Sequence, residues 1–224
     1  MSHKPAAGGG HWAAVAPERL EGWLARFADR HGACRCRAGD TLVTVTAVDG
    51  AVAECHVPFP PLTVEPAAPY GGLPGHALRD RRVGVLLVRK GGYAAGVFDG
   101  RALQSSKVGT RRVQGRSAAG GQSQQRFARR RQGQARVANE AAADTAARVL
   151  LPVVGTLEAL VLGGSRAAVG EVLEDPRLKG LQALAVEPFL DVPDPRLRVL
   201  TETPKSFRAV RIRVVEPPSA GEDA

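Results

Sequence analysis

The sequence predicts a mixed α/β protein, an antiparallel meander with packed helices behind a small helix–hairpin region. Three observations predict it. The apolar run Val83-Gly84-Val85-Leu86-Leu87-Val88 is followed by two more strand-like segments, each after a glycine turn. Residues 123–150 repeat apolar side chains at about the 3.6-residue helical period. Ahead of both, a short amphipathic stretch is followed by two alternating segments around Asp49-Gly50.

Residues 1–16 read as a flexible leader. Met1 to Gly10 lack the apolar core of a secretory signal. Residues 17–75 form the N-terminal region. Within it, 17–31 are helical, because Leu20, Trp23, Leu24 and Phe27 recur at spacings of three and four, and Gly32 ends the helix. Residues 41–46 alternate as a strand, Asp49-Gly50 turns the chain, and 51–57 return. From 58 to 74 the chain holds Pro58, Pro60, Pro61, Pro66, Pro69 and Pro74. That density excludes continuous regular structure and predicts a linker or a packed extended arm.

The main domain is expected over 76–216. Residues 83–88 are a buried strand and Gly91-Gly92 a turn. Residues 93–98 are a second strand, Asp99-Gly100 a turn, and 103–113 a third strand. Small, polar, glycine-rich residues then predict an exposed loop, 114–125 at its widest. Phe127, Ala135, Ala138, Ala142, Ala146 and Val149 form the stripe of the following helix. Arg126, Arg129, Arg130 and Arg136 lie largely away from that stripe. Ser123 suits an N-cap, Gly133 weakens the first half, and Pro152 limits the far end. A strand at 157–162, a helix at 166–173 that resumes at 178–181, and a strand at 183–186 follow. Residues 208–215 alternate as a terminal strand, and 217–224 are a loose tail.

Charge is concentrated. Of 31 basic residues, ten fall between 101 and 139, where no Asp or Glu occurs; the other 21 are nearly balanced by 22 acids. A nearly neutral body with one basic block implies a polyanionic partner, nucleic acid ahead of a membrane surface. No apolar run approaches the roughly 20 residues of a membrane span, so a soluble, cytoplasmic monomer without membrane contact is expected.

Three cysteines do not make a disulfide framework. Cys34, Cys36 and Cys55, with His31 and His56, form a loose set. Its Cys-x-Cys spacing is too tight for a zinc clamp, which spaces paired ligands by about two to four residues. No metal and no organic cofactor is expected.

The loop is the most informative stretch. Gly120 and Gly121 ahead of Gln122 make a thin tip that can approach another backbone closely. The arginines behind it suit phosphates. A glutamine is no strong base, but its amide can orient water and backbone N–H groups can stabilise developing negative charge. Phe127 suits a core anchor at the loop–helix junction or a base-stacking role.

Gly120, Gly121, Gln122, Ser123, Arg126, Phe127, Ala128, Arg129 and Arg131 correspond in unbroken register to the GGQSxxRFARxR string of eukaryotic and archaeal class-I release factors. The resemblance is to their middle domain and covers roughly residues 83–164. The stretch Arg111-Arg112-Val113-Gln114-Gly115-Arg116 leading into GGxSQQRFARRR looks more like the bacterial branch of the Vms-like release-factor clade. The resemblance implies a release-factor middle-domain-like fold with RNase H-like topology. It also implies a peptidyl-tRNA hydrolase acting in ribosome rescue, on stalled ribosomes or large subunits.

The class-I pattern selects Gln122 as the working glutamine. The GxxQ arrangement of the Vms-like clade, here Gly121-Gln122-Ser123-Gln124, selects Gln124, and Gln125 is a third candidate. Arg111, Arg112, Arg116, Arg126, Arg129, Arg130 and Arg131 are the RNA-contact set. The implied partners are the large subunit at its peptidyl-transferase centre, peptidyl-tRNA and rRNA. No codon-reading motif is visible. The alternatives are a non-catalytic rRNA-binding factor and a metal-dependent nuclease; the latter needs clustered carboxylates, and Asp99, Glu140 and Asp144 make no evident cluster.

Overall fold

The computed structural model describes residues 4–5, 9–89, 91–111 and 123–217, with side chains in the helix that starts at Ser123 described from Gly133 onward. The chain folds as two compact units, residues 1–79 with 205–224, and residues 80–204. In chain order the elements are β1 (Lys4–Pro5), β2 (His11–Val15), α1 (Leu20–His31), β3 (Cys34–Ala38), β4 (Leu42–Ala47), β5 (Val52–His56) and α2 (Leu73–Leu78). Then follow β6 (Arg82–Arg89), β7 (Gly92–Asp99), β8 (Ala102–Thr110), α3 (Ser123–Leu150), β9 (Ala159–Gly164), α4 (Arg166–Leu173), α5 (Lys179–Gln182), β10 (Ala185–Leu190), α6 (Leu197–Glu202), α7 (Pro204–Phe207) and β11 (Val210–Val215).

The first unit is an antiparallel sheet in the order β1-β2-β11-β5-β4-β3. Alternation gives it one apolar face, on which Val43, Val45, Ala53, Cys55, Val210 and Ile212 are buried. Leu20, Leu24 and Phe27 of α1 share that core, as their spacing requires. A fully buried leucine such as Leu20 contributes roughly 1.5–3 kcal/mol. Gly32 ends α1 at φ 84°. The proline-rich segment is a packed arm: Leu62 and Leu73 enter the core, and the Leu62 N–H donates to the Asp40 carbonyl at 2.7 Å.

Three strands and one assignment depart from the sequence reading, the first being β1, which pairs with β2 inside the expected leader. His11–Val15, inside the expected leader, is hydrogen-bonded to β11. Cys34–Ala38 pairs with β4 as the outermost strand. Residues 210–215, expected with the main domain, pair with both β2 and β5 and so belong to the first unit. Their alternation marks a strand, but the partner of a strand is chosen by non-local packing. The rest of the expected leader at 1–3 and 6–8, and the tail at 218–224, lie outside the described residues.

The second unit is a five-stranded sheet in the order β10-β9-β6-β7-β8. The β6–β7–β8 meander is antiparallel, whereas β9 runs parallel to β6 and β10 parallel to β9. This is the RNase H-like arrangement. The continuous apolar run of β6 is explained by cover on both faces. On one face Leu86, Val88, Ala95 and Val97 pack with Ala142, Ala146 and Leu150 of α3 and with Val169 and Val172 of α4. On the other, Leu200 of α6 lies 3.0 Å from where a Cβ on Gly96 would sit. Helices α6 and α7 are too short to show a period and carry no local signal.

Helix α3 has 28 residues, about 42 Å at 1.5 Å per residue. Ala138, Ala142, Ala146 and Leu150 are buried at intervals of four, and Ala135 and Val149 of the expected stripe are half-buried. Small side chains let the helix lie close on β7. Residues 133–137 are exposed or half-exposed, and the C-terminal half of α3 supplies the buried alanines.

Candidate functional site

Strand β8 delivers the chain to the loop. It is the edge strand of its sheet, with Gln104, Ser105, Ser106 and Lys107 exposed. Between the pairs Val97↔Ser105 and Phe98↔Leu103, Gln104 is the extra residue of a bulge. Tyr93 is paired with Gly109 near the strand end. The buried Tyr93 ring occupies the space a side chain at 109 would need; a Cβ there would come 2.5 Å from the ring. Beyond it, the Arg111 N–H donates to the Gly91 carbonyl at 2.8 Å. The loop root is thus held to the β6–β7 turn by backbone pairing and by one ring.

Helix α3 receives the chain on the other side. It begins at Ser123, so Gln124 and Gln125 lie in its first turn rather than in the loop, and Ser123 is itself helical rather than the residue before the helix. The N–H groups of a first turn have no partners within the helix, and the helix dipole adds partial positive charge there. No acid occurs in this turn. Arg126, Arg129, Arg130 and Arg131 follow within it, and the first acid of α3 is Glu140. Arg136 pairs with Glu140 one turn on, at 3.4 Å.

The packed half of α3 is clamped by polar contacts. Asn139 donates to Glu171 of α4 at 2.5 Å. Arg177 donates to Asp144 at 2.8 Å and to Asp175 at 2.6 Å. The Arg177 side chain holds the Asp175 carboxyl below its usual range, helped by the Arg177 backbone N–H. These contacts tie the 139–144 stretch of α3 to α4 and to the chain that follows it.

Of the residues singled out from sequence, Arg111 is exposed at the loop root. Gln124, Gln125, Arg126, Arg129, Arg130 and Arg131 follow one another in the first turns of α3. Arg112, Arg116, Gly120, Gly121 and Gln122 lie outside the described residues, as does most of the loop. Asp144 is engaged with Arg177, while Asp99 ends β7 and Glu140 pairs with Arg136. Among the described residues no three His, Cys, Asp or Glu side chains group as metal ligands.

The cysteine–histidine set is dispersed in the first unit. Cys34 donates to the Gly32 carbonyl at 3.3 Å, Cys36 is exposed, and Cys55 is buried, its thiol pushed up to about 12 by burial. His31 is held by Asp49 at 2.8 Å, and the His56 ring lies tilted against Trp12. The Cys-x-Cys spacing is the two-residue repeat of an edge strand. Among the described residues no helix is long and apolar enough to cross a membrane.

A model of the Actinobacteria/chloroflexi VLRF1 release factor family matches residues 81–213, more than half of the chain. Among solved structures the chain is similar to the archaeal translation termination factor aRF1, at 15% identity and a TM-score of 0.39, over 73% of this chain and 51% of that one. It is also similar to an archaeal protein at 17% identity and a TM-score of 0.37, over 70% of this chain and 48% of that one. The chain spans about half the length of these structures. No curated protein matches it.

Proposed function

The chain belongs to the Actinobacteria/chloroflexi VLRF1 release factor family, and from that premise we propose that it hydrolyses the ester of peptidyl-tRNA on stalled ribosomes or large subunits. The observation that carries this reading is the continuity of the 120–131 string with the start of α3: a glycine-tipped glutamine loop joined to a helix whose first turns bear four arginines and no acid.

In this reading the loop enters the peptidyl-transferase centre, and the arginines at 111, 112, 116, 126 and 129–131 neutralise rRNA phosphates. These contacts confer affinity with little sequence readout. Gly120 and Gly121 let the backbone pass where side chains would clash. Gln124 is the favoured water-positioning residue, with Gln122 next and Gln125 third. Its place in the first turn supports this, because free N–H groups beside its amide suit an oxyanion that forms as water attacks the ester. A glutamine accepts no proton at neutral pH, so the proton of the attacking water passes to groups of the RNA substrate or the ribosome. The residues in this role need no metal or organic cofactor. The loop-bearing unit in this reading is residues 80–204.

The test is peptide release from stalled large subunits carrying labelled peptidyl-tRNA. Wild type releases peptide, and one of Gln124→Ala and Gln122→Ala abolishes release while binding persists. Firm binding without release by the wild type overturns the hydrolase reading and leaves an rRNA-binding factor.

A further inference from the structure

The sheet of the first unit has a second face that neither α1 nor α2 covers. Its outward positions follow from the register. One cross-strand row runs Trp12, Arg213, Glu54, Thr44, Arg37, and the next runs Ala14, Arg211, His56, Leu42. Arg35 lies two residues from Arg37 on the same side of β3. Glu54 is the only acid at these positions, and it fixes Arg213 at 2.8 Å. Arg35, Arg37, His56 and Arg211 are exposed, and neither Arg35 nor Arg37 forms an ion pair among the described residues. The Arg211 guanidinium lies 4.6 Å from the centre of the Trp12 ring, and the His56 ring lies 5.2 Å from Trp12.

We propose that this open sheet face is a second RNA-binding surface, taking single-stranded RNA with phosphates on Arg35, Arg37 and Arg211 and a base stacked beside Trp12 and His56. A sheet face that interleaves arginines with aromatic rings matches how single strands are bound, by a basic track and stacking platforms. The row from Arg213 to Arg37 crosses three strand spacings, about 14 Å at ~4.8 Å each, so one strand of RNA meets several cations. Partial desolvation beside Trp12, then the charge of Arg211, holds the His56 imidazole below its usual range, which favours the neutral ring at neutral pH. A membrane surface fits less well, because that needs apolar side chains to insert. The exposed large apolar residues Val48, Val64, Leu78, Val137 and Leu197 are not on this face. The proposal does not depend on ester hydrolysis; a chain unable to release peptide would still bind RNA here.

The test uses the full chain with Arg126, Arg129, Arg130 and Arg131 changed to Gln, so that the helix contributes little, and a short labelled single-stranded RNA read by fluorescence anisotropy. Binding persists in this background. Adding Arg35→Gln, Arg37→Gln and Arg211→Gln weakens it tenfold or more and lowers the salt slope by about 2, at ~0.7 per charge. Trp12→Leu weakens binding several-fold with the salt slope unchanged. Where the triple change unfolds the protein, Arg35→Gln/Arg37→Gln on the edge strand replaces it. Loss of all RNA binding in the helix-neutralised background, full affinity in the Arg35/Arg37 variant, or stronger capture of anionic vesicles than of RNA overturns the proposal.

Discussion

Tyr93 and Gly109 face each other across β7 and β8, and the ring fills the position a side chain at 109 would take. Gly109 is the second-last residue of β8 before the chain leaves for the loop. Any Cβ there must displace the ring or the strand, and Gly109→Val costs about 1–3 kcal/mol as overpacking does. Thermal unfolding shows a lower midpoint. Peptide release falls further than stability alone accounts for, because the loop root shifts. Unchanged melting and release would remove Tyr93 as the loop's anchor.

Replacing the working glutamine removes positioning of water without removing affinity. Gln124→Ala is expected to lower the single-turnover release rate by on the order of 10²–10³, the range for one lost stabilising group at such a centre. Large-subunit binding stays within twofold. The same loss in Gln122→Ala alone transfers the role to Gln122.

The arginines of α3 act through counterion release. Changing Arg129, Arg130 and Arg131 to Gln lowers the slope of log affinity against log salt, measured on large subunits, by about 2 at ~0.7 per phosphate contact. A slope that does not move assigns the affinity elsewhere.

Asp49 makes the first unit sensitive to acid. The Ala51 N–H at 2.9 Å, then His31 at 2.8 Å, holds its carboxyl below the ordinary value of 3.8. The folded state therefore binds fewer protons than the unfolded state between the two values. Its stabilising share is full above about pH 4 and is lost as pH falls through the lowered folded value. Denaturant titrations across that window are steeper in pH for wild type than for Asp49→Asn. Parallel curves would sink the assignment.

Thiol labelling separates the three cysteines. Cys36, exposed on β3, reacts first with a maleimide, Cys34 more slowly, and Cys55 only on unfolding, since it is buried and its thiol is pushed up to about 12. Rapid labelling of all three in the native protein would contradict the placement of Cys55.

Much of the fold was written locally. The β6–β7–β8 meander announces itself through one apolar run and two glycine turns, and α3 through its alanine period. Strand β2 is not legible, because its inward Ala13 and outward Ala14 are alike, which erases the alternation. Strand β3 has no local signal, because its alternating Cys and Arg side chains are not the apolar–polar pattern of a half-buried strand. The placement of β11 rests on contacts more than 150 residues apart in sequence, such as Arg213 with Glu54, and no local pattern carries those. At the candidate site, the 120–131 string is visible in the sequence alone. The extent of α3, Ser123–Leu150, is the stretch whose helical period the sequence shows.

The strand that stands between β2 and β5 is also the one that follows the whole second unit in the chain. During synthesis, the second unit emerges as one uninterrupted stretch and can close while the first still lacks an interior strand. A product cut short before residue 210 would leave β2 and β5 with bare hydrogen-bonding edges, open to pairing with other chains. The first unit therefore certifies its own completion: only a chain translated through β11 presents a finished sheet.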